Sequence, residues 1–415
     1  MLSAKSAPVV RATLPAVGAA IGEITELFYA KLFEAHPELL RDLFNRGNQA
    51  AGTQRQALAG SIAAFATHLL EHPDTRPDAM LRRIAHKHAS LGVAPAQYEV
   101  VHRHLFAAIV EVLGEAVTPE VAAAWDEVYW LMANALIAVE ERLYAEQGCL
   151  PGGSWSEWEV VGRTEETADV VSFLLRPVGE DARPLPYRAG QYVSVQVELA
   201  DGARQIRQYS LVGATDATVR QISVKRERAG ATTPAGEVSG HLHDHVRVGD
   251  TLRVSAPFGD LVLGGPELGG PELGGPGQGD DLAGRPIVLA SAGIGITPML
   301  SLLHELHNRG HRPPVLVVHG DRSPADHALR AEQTALTGKL PQGRTLYFYE
   351  RDAEPADRSG LVDLEGAPIP AGAVAYLCGP LPFMRAVRAQ LLAGGVAAAD
   401  IHYEVFGPDL WLGHR

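Results

Sequence analysis

Hydrophobic periodicity changes twice along this 415-residue chain, and the two changes constrain its architecture more than any single motif. Through residue 147, apolar side chains recur every three or four positions, in ITELFYAKLF, QRQALAGSIAAFATHLL, AQYEVVHRHLFAAIVEVL and VAAAWDEVYWLMANALIAVEERLY. That spacing predicts amphipathic helices and an all-α domain over 1–147. Gly and Pro in EQGCLPGGSW mark a linker over 148–154. Over 155–263, short alternating or β-branched runs (QYVSVQVEL, RQYSLVG, RQISVKRE, DTLRVSAP) predict a small antiparallel β-barrel. Over 285–415, runs such as PIVLASAG, PPVLVVHG, TLYFYE and AVAYLCGP alternate with helical stretches, which predicts an α/β domain with a parallel sheet. Between them, 264–284 repeats GGPEL in tandem, a composition that reads as a flexible surface linker.

Composition narrows the partners. A formal charge of −13 argues against nucleic acid or an anionic membrane surface. No uncharged apolar run approaches the length that spans a bilayer, so no transmembrane segment is expected. At the start of the chain, Pro8, Arg11 and Pro15 interrupt the apolar stretch that a cleaved leader would need. Cys149 and Cys378 are the two cysteines, too few for a disulfide framework or a cysteine-based zinc site. A cytoplasmic monomer is the expectation.

The segment RIAHKHASLG carries two histidines two positions apart, a spacing at which only one can join a given helix face. Leu81, Ile84, Ala85, His88 and Leu91 share an apolar stripe, whereas Arg82, Arg83, His86 and Ser90 fall on other sides and are expected to face solvent. Gly92 supplies a stop. A second stripe, Gln54, Leu58, Ser61, Ile62, Phe65 and Leu69, places an amide where a buried face normally carries an apolar residue. An all-α domain with an inward histidine and an inward glutamine could enclose a haem, for which neutral imidazole is the usual proximal ligand.

With FYAKLFEAHPELLRDLFN, NQAAGTQRQAL, IAHKHASLGVAPAQY and ALIAVEERLY in this order, residues 1–147 resemble the globin half of the flavohaemoglobins, and the rest of the chain resembles their reductase half. The resemblance implies His88 as the haem-iron ligand and Phe44 as the aromatic packed on the haem. It places Tyr29, Gln54 and Leu58 at the positions that contact bound O₂. Tyr98 and Glu140 fall at positions that orient the ligand histidine; Glu140 shares a stripe with Leu136, Ile137, Leu143 and Tyr144, whereas Glu141 lies off it.

RQYS, from Arg207 through Gln208 and Tyr209 to Ser210, resembles the flavin signature of ferredoxin-reductase-like enzymes. In that pattern Arg207 pairs with the diphosphate, Tyr209 lies against the isoalloxazine and Ser210 reaches its redox-active nitrogen. GQY precedes it with Tyr192, and GEVSGHL follows it with Gly236, Val238 and Ser239, whose backbone N–H groups suit the diphosphate. HYEVFGP brings Glu404 and Phe406 near the flavin ring in the same family.

SAGIGITPM supplies Gly293, Gly295, Thr297 and Pro298 after a buried strand, and CGP supplies Cys378, Gly379 and Pro380; together they resemble the family's two pyridine-nucleotide motifs. Ile296 stands where many members carry Gln. Arg322 and Arg351 are candidate cations for a 2′-phosphate but neighbour Asp321 and Glu350, which leaves NADH and NADPH both open. The resemblance thus implies haem b, FAD and NAD(P)H as cofactors and the conversion of NO and O₂ to nitrate as the reaction. Two alternatives stay open: an oxygen-storing or oxygen-sensing globin with an attached ferric-haem reductase, and a flavin reductase whose helical domain holds no haem.

Overall fold

A computed structural model describes residues 1–179, 183–213, 218–230, 233–264, 282 and 284–410. The helical domain is built from α1 (Ser6–Ala35), α2 (Pro37–Asp42), α3 (Arg46–Ala50), α4 (Thr53–Glu71), α5 (Asp78–Leu91), α6 (Ala96–Leu113) and α7 (Pro119–Glu146). Local chemistry sets several of these boundaries. Thr118 caps α7 by accepting from the Val121 N–H, and Pro119 occupies the first turn, where no donor is needed. Gly92 ends α5 in the left-handed region at φ 81°, and the Val93 N–H returns to the His88 carbonyl.

Helix α1 continues through Pro15, with Pro8 in its first turn. By length and composition alone α1 meets the criterion for crossing a bilayer. Its Val10, Val17, Ile24, Phe28 and Leu32 are nevertheless buried in the helical core, where they pack with residues of α4, α6 and α7.

The second domain is a closed antiparallel barrel, ordered β1-β2-β5-β4-β3-β6, from β1 (Trp155–Thr167), β2 (Val170–Pro177), β3 (Tyr192–Glu198), β4 (Arg204–Val212), β5 (Arg220–Lys225) and β6 (Thr251–Ser255). Helix α8 (Glu237–His245) lies between β5 and β6 in the chain and drives Val238 and Leu242 into the barrel core. Closure leaves no free strand edge in this domain. The RQYS strand β4 pairs along its length with β3, which positions Tyr192 opposite Ser210.

The third domain is a parallel sheet ordered β10-β9-β8-β7-β11-β12. Its strands are β7 (Ile287–Ala292), β8 (Val315–Asp321), β9 (Gly343–Tyr349), β10 (Arg358–Ser359), β11 (Val374–Cys378) and β12 (Ile401–Glu404); α9 (Ile296–Asn308), α10 (Arg330–Lys339) and α11 (Leu381–Ala393) connect them. Strand order reverses between β7 and β11, so the crevice for a ligand lies beyond their C-terminal ends. Most of the GGPEL stretch lies outside the described residues. Its ends are tied down: the Gly264 N–H donates to the Tyr376 hydroxyl at 3.3 Å, and Leu282 packs on the sheet's core.

The helical domain and the barrel share a core. Tyr192, Ala256 and Phe258 of the barrel join the cluster that contains Ala85, Ala89 and Tyr144. The face of α5 expected to meet water docks here instead. His86 is 7% exposed, and its Nδ1 accepts from the Gly259 N–H at 2.9 Å. Burial pulls the His86 imidazole down to about 4, so it stays neutral and able to accept. Ser90 is buried and accepts from the Ser194 hydroxyl at 3.1 Å. Arg83 reaches past the barrel to Tyr403, donating to its hydroxyl at 2.7 Å and lying 4.0 Å over its ring, and donates to Asp409 at 3.0 Å.

Replacing His86 by Leu leaves the buried Gly259 N–H without an acceptor, a loss that costs about 1–3 kcal/mol. A lower denaturant midpoint is expected. An unchanged midpoint would show that this bond contributes nothing to docking.

Candidate functional site

A cavity of about 1380 Å³ runs from the interior of the helical domain to the RQYS strand of the barrel. At its helical end α5 presents His88, which α6 and α7 hold from behind. His88 Nδ1 lies 2.8 Å from Glu140 Oε1 and 2.9 Å from the Tyr98 hydroxyl, and that hydroxyl donates to the same carboxylate oxygen at 2.5 Å. The Tyr98 proton is spent on Glu140, so the histidine's proton belongs on Nδ1, where the carboxylate accepts it. That tautomer leaves Nε2 with a free lone pair on a ring that lines the cavity. Glu140 is 2% exposed, and its Oε2 has no hydrogen-bond partner among the described residues. Glu141, one position on, is exposed.

Across the cavity stand Tyr29 from α1, Phe44 from the α2–α3 corner, and Gln54 and Leu58 from α4. Burial pushes the Tyr29 hydroxyl up to about 12, with Gln54 and Gln49 as side-chain hydrogen-bond partners opposing the shift. It therefore remains a phenol, able to donate. Tyr29 and Phe44 meet edge-on with ring centroids 5.8 Å apart. The cavity around them is largely apolar, so polar atoms aimed into it face little competition from water.

At the barrel end, Arg207, Gln208, Tyr209 and Ser210 all line the same cavity, with Tyr192 alongside. Burial lowers the Arg207 guanidinium, with Tyr209 and Glu237 opposing the shift. Ser210 Oγ is buried and has no partner among the described residues. Gly236 and Ser239 open α8 on this wall, and a Cβ at Gly236 would lie 2.6 Å from Ser239 Oγ and 2.8 Å from Glu227 Cβ. Val238, between them, does not line the cavity; its side chain belongs to the barrel core. A half-buried cation, an orphaned hydroxyl and a helix start together fit a phosphate-bearing ring cofactor.

The third domain meets this wall through Ile294, Thr297, Glu404 and Phe406. Gly293 and Gly295 form the turn after β7; a Cβ at Gly295 would overlap the Cys378 carbonyl, so the two nucleotide motifs interlock at the switch point. Pro298 lies in the first turn of α9, and Cys378, Gly379 and Pro380 close β11 beside it. Cys378 stands opposite both Ser291 and Glu404 in the sheet register, and burial pushes its thiol well up. Burial likewise raises Glu404 to about 7 and lowers Lys87 to about 8, each opposed by the other's charge. Lys87 thus belongs to this wall and not to the solvent.

Several pairings carry no signal in the sequence. Gln208 Nε2 donates to Ser194 Oγ at 3.0 Å, so a chain of hydroxyls links the RQYS strand to Ser90 on α5. Arg46 bridges Asp201 and Glu237 at 2.6 and 2.7 Å. Arg322 and Arg351 both turn to Asp326, at 2.6 and 3.3 Å. Each pairing depends on which surfaces meet, which neither periodicity nor a motif reports.

An imidazole-bearing helical cavity opening onto a barrel and a parallel sheet defines a globin joined to a reductase. Family models agree along the chain: Globin matches residues 26–136, Oxidoreductase FAD-binding domain 157–262 and Oxidoreductase NAD-binding domain 289–389. A Flavohemoprotein of Rhizobium meliloti is 40% identical over 425 residues, covering 99% of this chain and 100% of that one. That of Bordetella parapertussis is 42% identical over 420 residues, covering 98% and 99%. The solved flavohemoglobin of Malassezia yamatoensis, described with bound FAD and heme, superposes with a TM-score of 0.87 at 39% identity, covering 98% of this chain and 100% of that one. The FAD/NAD-binding domain of a nitric oxide dioxygenase from Vibrio cholerae gives 0.53 at 35% identity, over 61% of this chain and 99% of that one. The chain belongs to the flavohaemoglobin family and is an oxidoreductase of that three-domain plan.

Removing the Tyr98 hydroxyl or the Glu140 charge breaks one network. Tyr98→Phe and Glu140→Gln should each destabilise the helical domain by about 1–3 kcal/mol. Because they share one oxygen, the double variant should lose less than the sum, by about 0.5 kcal/mol or more. Strict additivity in denaturant unfolding would show that the two groups act separately.

Proposed function

We propose that this chain is a nitric oxide dioxygenase that binds haem b and FAD and draws electrons from NAD(P)H. The observation that carries the reading is the His88 ring: Nδ1 is committed to Glu140, and Nε2 is free on a cavity that continues to the RQYS strand. When bound, haem iron would take up O₂ and single electrons, and FAD would divide the hydride of NAD(P)H into single-electron steps.

The chain's own groups suit those cofactors. Glu140, by accepting the Nδ1 proton, raises the basicity of Nε2 and fixes the ring's orientation, with Tyr98 holding the carboxylate. An electron-rich imidazole favours oxygen activation over simple carriage. On the opposite wall the Tyr29 phenol and the Gln54 amide supply donors for a small polar ligand, while Phe44 and Leu58 keep the space apolar. Arg207 is placed for a diphosphate, with the Gly236–Ser239 backbone beside it, Tyr209 for the flavin ring and Ser210 Oγ for its reactive nitrogen. Gly293, Gly295, Thr297, Pro298, Cys378, Gly379 and Pro380 form the nicotinamide side, with Glu404 and Phe406 where that ring and the flavin would meet. In balance, two NO and two O₂ with one NAD(P)H give two nitrate ions, NAD(P)⁺ and one proton. The family relationship supports the same chemistry.

Aerobic protein supplied with NAD(P)H should consume NO and release nitrate in equal amounts. His88→Ala should remove the haem absorption band and that activity together, while NAD(P)H still bleaches the flavin. Persistence of NO beside haem-loaded, NAD(P)H-supplied protein would contradict the proposal.

A further inference from the structure

We infer that Gln205 is a positioning residue for electron transfer, setting the spacing between the Phe44 wall of the helical cavity and the flavin-binding strand. This rests on the reading above, in which electrons pass from flavin to haem.

Gln205 sits on β4, two residues before Arg207, so both side chains leave the same face of the strand. It is a polar side chain only 1% exposed, caught between the barrel and the α2–α3 corner of the helical domain. Its Nε2 donates toward three carbonyls of that corner, Leu40 at 3.3 Å, Arg41 at 3.0 Å and Phe44 at 3.2 Å. Its Oε1 accepts from the Arg46 N–H at 3.3 Å and from Arg207 Nη1 at 3.4 Å. One amide therefore grips the backbone on both sides of Phe44 and at the same time touches the cation placed for the flavin diphosphate.

The geometry is demanding. A single NH₂ group can face three carbonyls only where the corner curls around it, and the corner must stand at one distance from β4. A shift of about 1 Å would strand several of these buried groups without partners, which is the costly outcome for a polar network. The surrounding contacts act in the same direction. Arg46 ties the corner to Asp201 before β4 and to Glu237 at the start of α8, and the Arg204 N–H donates to Asp42 at 3.2 Å. Apolar packing between domains would tolerate sliding, because it is non-directional. Gln205 supplies the directional lock at the point where the walls of the two cofactor sites come together.

The test uses the full chain loaded with haem and FAD, mixed anaerobically with NADH while flavin bleaching and haem reduction are followed separately. Gln205→Leu removes every bond, and Gln205→Glu keeps the shape but sets a carboxylate against three carbonyl oxygens. Both should bleach flavin at the parent rate and reduce ferricyanide normally, yet reduce haem roughly tenfold or more slowly, as misplacement by about 1 Å can cause. Gln205→Asn keeps the amide one methylene short; it should fall between parent and leucine, and it carries the test if leucine is not tolerated. Parental haem reduction in the variants would overturn the inference, as would equal slowing of both steps, which marks a general structural role. A parent protein whose flavin bleaches while its haem stays oxidised would overturn the electron path itself, a result visible before any variant is made.

Discussion

Helix α5 turns one histidine toward a cavity and another, two residues before it, toward the barrel, and its exposed residues are confined to the first turn at Asp78 and Ala79. His88 leans on Glu140 and Tyr98 from behind, while His86, Ser90 and Arg83 are bonded to the barrel and to the end of the third domain. The orientation of the cavity-facing imidazole and the docking of the domains are therefore one constraint. Rotating α5 to improve either side would break the other.

Two struts join the helical domain to the barrel, and they differ in kind. Around α5 the contact mixes a shared apolar core, through Tyr192, Ala256 and Phe258, with a few buried hydrogen bonds. At the α2–α3 corner it is almost wholly polar and centred on Gln205 and Arg46. Apolar burial supplies most of the adhesion, and directional bonds choose one register among the many that adhesion alone would allow. The first strut reaches β3 at Tyr192 and Ser194 and the segment after β6 at Phe258 and Gly259, the second reaches β4 at Gln205, and Tyr192 and the RQYS residues line the cavity wall beside them. The helical cavity is thus held to the strand that faces it rather than merely near it.

Much of this was legible in the sequence because periodicity reports local burial. Changes of period separate helical, barrel and parallel-sheet regions, and the stripe through His88 separates it from His86. What periodicity cannot report is the reason a polar face is polar. Arg83, His86 and Ser90 look like solvent positions on a lone helix and are docking positions in the chain. Gln205 looks like an ordinary alternating residue of β4 until the corner it grips is in place. The switch point between β7 and β11 follows from strand order, which no single motif states, although both glycine motifs flank it.

In the proposed function the three domains make one electron path that ends at the His88 cavity. Adding NADH anaerobically to the purified protein under carbon monoxide tests it in one trace. The flavin absorbance should fall first, followed by the sharp band of the carbon monoxide complex of ferrous haem. A flavin that bleaches while no such band forms would contradict it.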